Sequence, residues 1–254
     1  MREPKTGRRR IRRALVILAV ILLAAAIAVW IYLSDYYHAG RAAAAAMAPT
    51  QDVTVRATDA RADFIPARAE AGLIFYPGGK VEFTAYAPLM RACAERGILC
   101  VLLRMPGNLA VLDYNAADGV AADYPEITRW YVGGHSLGGT IAATYAANHA
   151  DALAGLVLLA SYSTDDLTDT GLQVLSICGS ADGVLNRERY DRCRANLPAD
   201  AVELVIEGGC HSFFGSYGMQ SGDGEPTISN DEQIRRTADA IAEMIEPNAA
   251  ESAA

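Results

Sequence analysis

Residues Ala14 to Leu33 read ALVILAVILLAAAIAVWIYL, twenty positions with no charge, no proline and no glycine. As a helix rising about 1.5 Å per residue, such a run covers roughly 30 Å, the thickness of a bilayer's hydrocarbon core. A helix in lipid satisfies its own backbone hydrogen bonds, so the segment needs no partner strand. Trp30, Tyr32, Tyr36 and Tyr37 gather at its far end, where amphipathic rings favour the interface. Arg2, Lys5, Arg8, Arg9, Arg10, Arg12 and Arg13 precede it, against the single acid Glu3. By the positive-inside tendency, a single-pass anchor of this kind keeps its N-terminus in the cytoplasm and the rest of the chain outside. The competing reading is a cleaved signal peptide, which would leave a secreted protein. Its apolar core usually spans about 7–15 residues, with a small-residue cleavage site close behind. Here the run is longer, ends in bulky side chains, and meets Ala-x-Ala triplets only in the stretch 42–48.

The charge divides along the same line. The stub, residues 1–13, carries +6; with −8 overall, the remaining chain is −14. Positive charge beside a membrane span meets anionic lipid head groups, and an acidic body offers nothing to a phosphate backbone, so nucleic acid is excluded as a partner. A hydrophobic fraction of 52% excludes a mostly disordered chain. The resulting organisation is a stub (1–13), a transmembrane helix (14–33), an Ala-rich spacer (34–51), one soluble domain (52–246) and a flexible tail (247–254).

Within the soluble domain, apolar runs alternate with helical spacing. Leu73–Tyr76, Ile98–Leu103, Trp130–Val132, Leu156–Ala160, Leu172–Cys178 and Val202–Ile206 read as strands, several of them near-continuously apolar, as strands buried on both faces are. Phe83–Arg96, Ala110–Ala122, Leu137–Asn148 and about Asp231–Ile245 read as helices, the last behind a capping box of Ser229 and Glu232. Residues 52–69 suit one or two antiparallel edge strands. This pattern predicts an α/β fold, a mostly parallel sheet with helices on both faces, preceded by the one transmembrane helix. None of Cys93, Cys100, Cys178, Cys193 and Cys210 lies in a CxxC pair, and no zinc spacing is present, so neither metal nor cofactor is expected. Outside the cytoplasm, Cys178 and Cys210 at two strand ends are the best candidates for a disulfide; the alternative is buried free thiols.

The strongest chemical signal is Gly134-His135-Ser136-Leu137-Gly138, set between a strand and a helix. A serine at such a turn is strained and projects its hydroxyl above the sheet, and Gly134 and Gly138 are needed because the backbone folds back on itself. The pattern alone is weak; the strand before and the helix after give it weight. A serine hydroxyl needs a base. Of four histidines, His38 lies at the membrane junction, His135 points away from the serine as a packing or hydrogen-bonded residue, and His149 reads as a helix cap. His211, on the loop after the last strand, is where a base would hang. Asp182, in the loop after the preceding strand, is the carboxylate to orient it, with Asp165 and Asp166 as fallbacks. Backbone N–H groups of Leu137 and of Gly79, in Pro77-Gly78-Gly79-Lys80, supply an oxyanion hole. Lys80, Leu109, Tyr162, Phe213 and Phe214 are candidate pocket residues. Only 35 positions separate Ser136 from Gly171, so no large lid is inserted there and an open pocket is expected.

These pieces carry a resemblance. YPGG (76–79), LLRMPGNLAVL (102–112), VGGHSLGGT (132–140), ICGSADGVL (177–185) and GGCHSFFGSYG (208–218) resemble the α/β-hydrolases, in particular the compact dienelactone-hydrolase-like and small-esterase branch. The resemblance spans residues 70–246 and implies the α/β-hydrolase fold, a Ser136–Asp182–His211 triad and a two-donor oxyanion hole. Dienelactone hydrolases tend to use a cysteine nucleophile, whereas position 136 is Ser, so their substrate is not carried over. The expected activity is hydrolysis of a small-molecule ester through an acyl-enzyme. Two other readings use the same fold: an acyltransferase that passes the acyl group to an acceptor other than water, and a non-catalytic binding protein. An inert fold has no need of the three residues together. Nothing in the sequence sets the oligomeric state.

Overall fold

The computed structural model describes residues 5–245. The tail expected at 247–254, like Arg2 and Glu3 of the stub, lies outside the described residues. The contacts divide the chain at Tyr36/Tyr37 into two compact units.

The first unit is α1 (Lys5–Ser34), so much of the basic stub is helical and continuous with the apolar run. Its segment Arg9–Ser34 is 26 residues long and apolar enough to cross a membrane. Leu15, Val20, Leu22, Ile27 and Trp30 are all exposed, as a lipid-facing helix requires and a core helix forbids.

The second unit begins earlier than the spacer reading suggests. Tyr37 bridges Val81 in parallel, and Gly40 N–H donates to the Ser216 carbonyl at 2.7 Å. The short helix α2 (Arg41–Ala46) buries Ala43 and Ala46, and Arg91 caps its C-terminal end by donating to the carbonyls of Ala46 and Ala48. The small alanine side chains that made this stretch look like a linker are what let it lie close against its neighbours.

Eight strands form one sheet: β1 (Val53–Ala57), β2 (Arg61–Pro66), β3 (Ala71–Tyr76), β4 (Ile98–Leu103), β5 (Arg129–His135), β6 (Gly155–Leu159), β7 (Gln173–Gly179) and β8 (Val202–Ile206). Their order is β1-β2-β4-β3-β5-β6-β7-β8. β2 runs antiparallel to β1 and β4, and every pairing from β4 onward is parallel. Where one or two antiparallel edge strands are expected at 52–69 there are two antiparallel strands, of which β1 alone is at the edge.

The side-chain alternation of β3 explains the layering. Leu73 and Phe75 enter a core shared with α3 (Ala87–Ala94: Leu89, Met90) and α6 (Asn230–Ile245: Ile234, Ala238, Ile241). Ile74 and Tyr76 enter the opposite core with α4 (Leu137–Asn148: Ile141, Ala142, Ala146). Burial on both faces is what the continuous apolar runs require, and each fully buried large side chain contributes about 1.5–3 kcal/mol. α5 (Arg187–Cys193) buries Tyr190 beside Cys178 and Leu185.

Two expected helices differ. The first turn of Phe83–Arg96 is 3₁₀ (Phe83–Tyr86), and the α-helix proper starts at Ala87, with Pro88 in its first turn where a missing N–H costs nothing. Ala110–Ala122 is not one helix but turns around two short 3₁₀ pieces, Ala110–Leu112 and Ala121–Asp123. Asp113 leaves the helical region at φ −152°, ψ 82°, and Gly119 takes a positive φ of 76°. Turn-forming Asp and Gly here outweigh the apolar spacing. The Cys178–Cys210 disulfide is not formed: all five cysteines are free, both of these are buried, and the Cys178 sulfur accepts from Arg187.

Candidate active site

Parallel strands end together, so the loops after β3, β5, β7 and β8 converge at one edge of the sheet. Strain is concentrated there. Among the described residues, four non-glycines have positive φ: Lys80, Asn108, Ser136 and Ala160, each in the connection leaving β3, β4, β5 or β6. Ser136 itself sits at φ 52°, ψ −124°, between β5 and α4. Such a conformation costs about 1–3 kcal/mol and persists only when its surroundings over-determine it. They do so here. The Ser136 N–H donates to the Leu159 carbonyl at 2.9 Å, and the Ser161 hydroxyl donates to the Ser136 carbonyl at 2.8 Å. A Cβ at Gly138 would lie 2.2 Å from the Pro77 carbonyl oxygen, and one at Gly134 would lie 2.6 Å from the Gly138 carbonyl carbon. The elbow is therefore clamped against the loop that follows β3. In that loop a Cβ at Gly79 would lie 2.8 Å from the Leu137 side chain, so the two expected oxyanion donors belong to segments in contact.

Asp182 and His211 meet as a buried pair. His211 Nδ1 and Asp182 Oδ2 are 2.9 Å apart. The other carboxylate oxygen of Asp182 accepts the N–H groups of Val184 (2.9 Å) and Leu185 (2.8 Å), which fixes its rotamer. A carboxylate accepts, so His211 carries its proton on Nδ1, leaving a lone pair on Nε2. That nitrogen is buried and has no hydrogen-bond partner among the described residues. Asp165 and Asp166, the fallback acids, are engaged elsewhere, by the Thr144 hydroxyl and by Thr168.

Ser136 and His211 line one cavity of about 400 Å³, with Leu137, Thr140, Ala160, Ser161, Tyr162, Val184, Leu185, Asn186 and Arg189 completing its wall. Of the candidate pocket residues, Tyr162 is in this wall; Lys80, Leu109, Phe213 and Phe214 are not. Phe214 is a core residue whose ring packs against His135. A cleft of about 310 Å³ at the opposite end of the strands is lined by Arg68, Glu70, Arg96 and Arg129 among others, with no Ser, Cys or His in its wall.

His135 is packed and hydrogen-bonded, as expected, and is absent from the wall of the Ser136 cavity, but it lies beside His211. Its Nδ1 lies 2.7 Å from the Tyr86 hydroxyl, and its ring centroid lies 4.5 Å from that of His211. Burial, reinforced by the nearby His211, pushes its pKa well below the ordinary histidine value.

Sequence reasoning missed Asp223. Its carboxylate accepts N–H groups of His211 (3.1 Å), Ser212 (2.8 Å), Gly183 (3.2 Å) and Gly224 (2.9 Å), and the Ser212 hydroxyl (2.6 Å). It thus ties the Asp182 loop to the His211 loop. Burial opposes its charge, but the donors from Ser212, Gly183 and His211 prevail and hold its pKa below the usual carboxylate value. The only local signal was Gly222-Asp223-Gly224, which reads as a turn.

A mostly parallel, doubly covered sheet with a strained strand-to-helix serine at its carboxyl edge defines the class of α/β hydrolases. The family comparison agrees at the level of sequence: the model of the alpha/beta hydrolase family matches residues 72–235. The chain belongs to that family. No curated protein matches it. Among solved structures it is similar to a predicted CIB-like hydrolase from Thermoplasma acidophilum (TM-score 0.58, 13% identity, 76% of this chain and 100% of that one). It is similar to a dienelactone hydrolase from Anabaena variabilis (TM-score 0.56, 13% identity, 76% and 97%) and to carboxyl esterase 2 from Tuber melanosporum (TM-score 0.56, 10% identity, 84% and 92%). At these identities the likeness is one of fold, and the family membership supports a hydrolase.

Proposed function

We propose that this protein is a serine ester hydrolase acting through an acyl-enzyme, held at a membrane by α1 with its N-terminus in the cytoplasm and its catalytic unit on the other side. The observation that carries the reading is the Asp182–His211 pair, which leaves an unpartnered Nε2 lone pair on a cavity it shares with the strained Ser136. In the first half-reaction Nε2 takes the hydroxyl proton as Ser136 Oγ attacks the ester carbonyl. The oxyanion gathers N–H groups of Gly79 and Leu137, each worth about 10²–10³ in rate. The imidazolium then gives its proton to the departing alkoxide, and the acyl group stays on Ser136. Water, deprotonated by the same nitrogen, releases the acid and restores the serine. Asp182 stabilises the imidazolium in both halves. The short loops that wall the cavity, and an esterase among the structural neighbours, support a small ester as substrate.

The test uses the full chain in detergent, with p-nitrophenyl acetate and butyrate as substrates and a fluorophosphonate as covalent probe. The protein should turn over at least one ester, and the probe should label Ser136. Ser136→Ala should abolish labelling and reduce turnover to background; retained turnover sinks the nucleophile assignment. Orientation is read by protease protection of the catalytic unit in intact against lysed cells.

A further inference from the structure

One buried hydroxyl touches both halves of this site. The Tyr86 hydroxyl accepts the Gly78 N–H at 3.1 Å, the peptide immediately before Gly79, and lies 2.7 Å from His135 Nδ1. Tyr86 and His135 are almost wholly buried. Because the oxygen already accepts from Gly78, the economical arrangement is for its own proton to go to Nδ1. His135 must then carry its proton on Nε2. That nitrogen is buried, the ring lies within hydrogen-bonding reach of the His211 backbone, and the His211 ring lies 4.5 Å away, centroid to centroid. The contact is tight from a second side: a Cβ at Gly78 would lie 2.6 Å from the Tyr86 oxygen and 2.8 Å from His135 Nδ1.

We propose that Tyr86 and His135 form a positioning pair, in which the Tyr86 hydroxyl locks His135 as the neutral Nε2–H tautomer so that its ring braces His211, while the same hydroxyl fixes the oxyanion loop through Gly78. The proposal rests on the reading of His211 as the base. Its physical content is twofold. The imidazole that moves protons is packed against a ring that cannot itself accept one at its blocked Nδ1. A proton on His135 would also place a cation beside the imidazolium that His211 becomes, and oppose it. The groups facing His135 leave no other source of charge. From the turn before α3 it meets Tyr86, and from the loop after β8 it meets His211 and the apolar Phe214. Tyr217 packs against Tyr86, and burial raises its pKa well above the ordinary tyrosine value, so it stays neutral. Asp182 engages His211 from Nδ1.

Tyr86→Phe removes one oxygen and keeps the ring. The tautomer is read by ¹⁵N NMR of the full chain in detergent with labelled histidine. There are four histidines in all, and His135→Asn assigns the resonance. The wild type should show His135 neutral with its proton on Nε2 throughout the titration of His211; Tyr86→Phe should show it taking a proton or populating the other tautomer. In parallel, the rate of fluorophosphonate labelling and the kcat for p-nitrophenyl butyrate should fall about tenfold in Tyr86→Phe with KM little changed. The loss should deepen toward acid, moving the acid limb of the profile to higher pH, whereas a purely structural defect lowers the rate equally at all pH. His135→Phe should lose as much, and the double variant no more than either alone. His135→Asn, whose carbonyl can still accept from Tyr86, should recover part of the loss. A wild-type His135 protonated on Nδ1, or a Tyr86→Phe profile superimposable on that of the wild type, overturns the proposal. The NMR result does not depend on turnover, so a chain that hydrolyses no ester would sink the esterase reading and leave the tautomer assignment to be decided by the spectrum.

Discussion

Replacing Asp182 by Asn isolates what the carboxylate does, because the substitution keeps its shape. In the structure one oxygen accepts the N–H groups of Val184 and Leu185 at 2.9 and 2.8 Å, and the other faces His211 Nδ1 at 2.9 Å. Asn has one accepting oxygen. Two backbone donors hold it toward Val184 and Leu185, which turns the amide NH₂ toward His211. The imidazole then accepts at Nδ1 and carries its proton on Nε2, the nitrogen that must take the proton of Ser136. The base is present in the wrong tautomer, and kcat should fall about 10³–10⁴-fold with KM little changed. The fold should survive, since the loop keeps both backbone hydrogen bonds. Loss of one charge-assisted bond costs about 1.5–3 kcal/mol, which for a domain of this size lowers Tm by roughly 3–12 °C. The assay is turnover of p-nitrophenyl butyrate beside a thermal melt of the same preparation. A variant within tenfold of the wild type in kcat would refute the orientation argument; one that does not fold would refute the claim that backbone donors dominate the rotamer.

Other outcomes follow from the same geometry. Gly138→Ala places a methyl 2.2 Å from the Pro77 carbonyl oxygen, contact with backbone that cannot step aside, so it should destabilise the catalytic unit by several degrees in Tm and abolish fluorophosphonate labelling. Asp223→Asn should slow turnover about tenfold by loosening the tie between the Asp182 and His211 loops, with the loss read in kcat. Asp223 also makes a pH prediction. Its pKa is lower folded than unfolded, so the stability it contributes is present above the unfolded value of about 3.9 and is lost as pH falls through the lower folded value. Acid melts of the wild type should therefore decline across that window more steeply than those of Asp223→Asn. Alkylation of the denatured, unreduced protein should modify all five cysteines, as five free thiols require; three modified residues would restore the Cys178–Cys210 disulfide.

Much of this fold and site was legible because the signals are local. The apolar run of α1 is fixed by composition alone. The strand, turn and helix around Ser136 lie within twenty consecutive residues, 129–148, and each part declares itself by its own side chains. Asp182 and His211 were readable by their position after β7 and β8. Illegible features were those whose meaning lies in a distant partner. The 110–122 stretch had helical apolar spacing, but its Asp and Gly turns decided the backbone. The alanines of 41–46 read as linker, but Arg91 caps their helix and Ser216 holds Gly40 just before it.

By itself, then, the sequence determined an apolar helix fit for a membrane, an alternating α/β order and a serine at a strained turn, all set by residues near one another in the chain. Tertiary structure alone decided that His135 lies beside His211, that the Tyr86 hydroxyl joins His135 to the Gly78 peptide, and that Asp223 ties the Asp182 and His211 loops together. The His135–His211, Tyr86–His135 and Gly183–Asp223 contacts join residues 76, 49 and 40 positions apart, and a side chain's partner at that distance is chosen by strand order and loop packing, which no local pattern records.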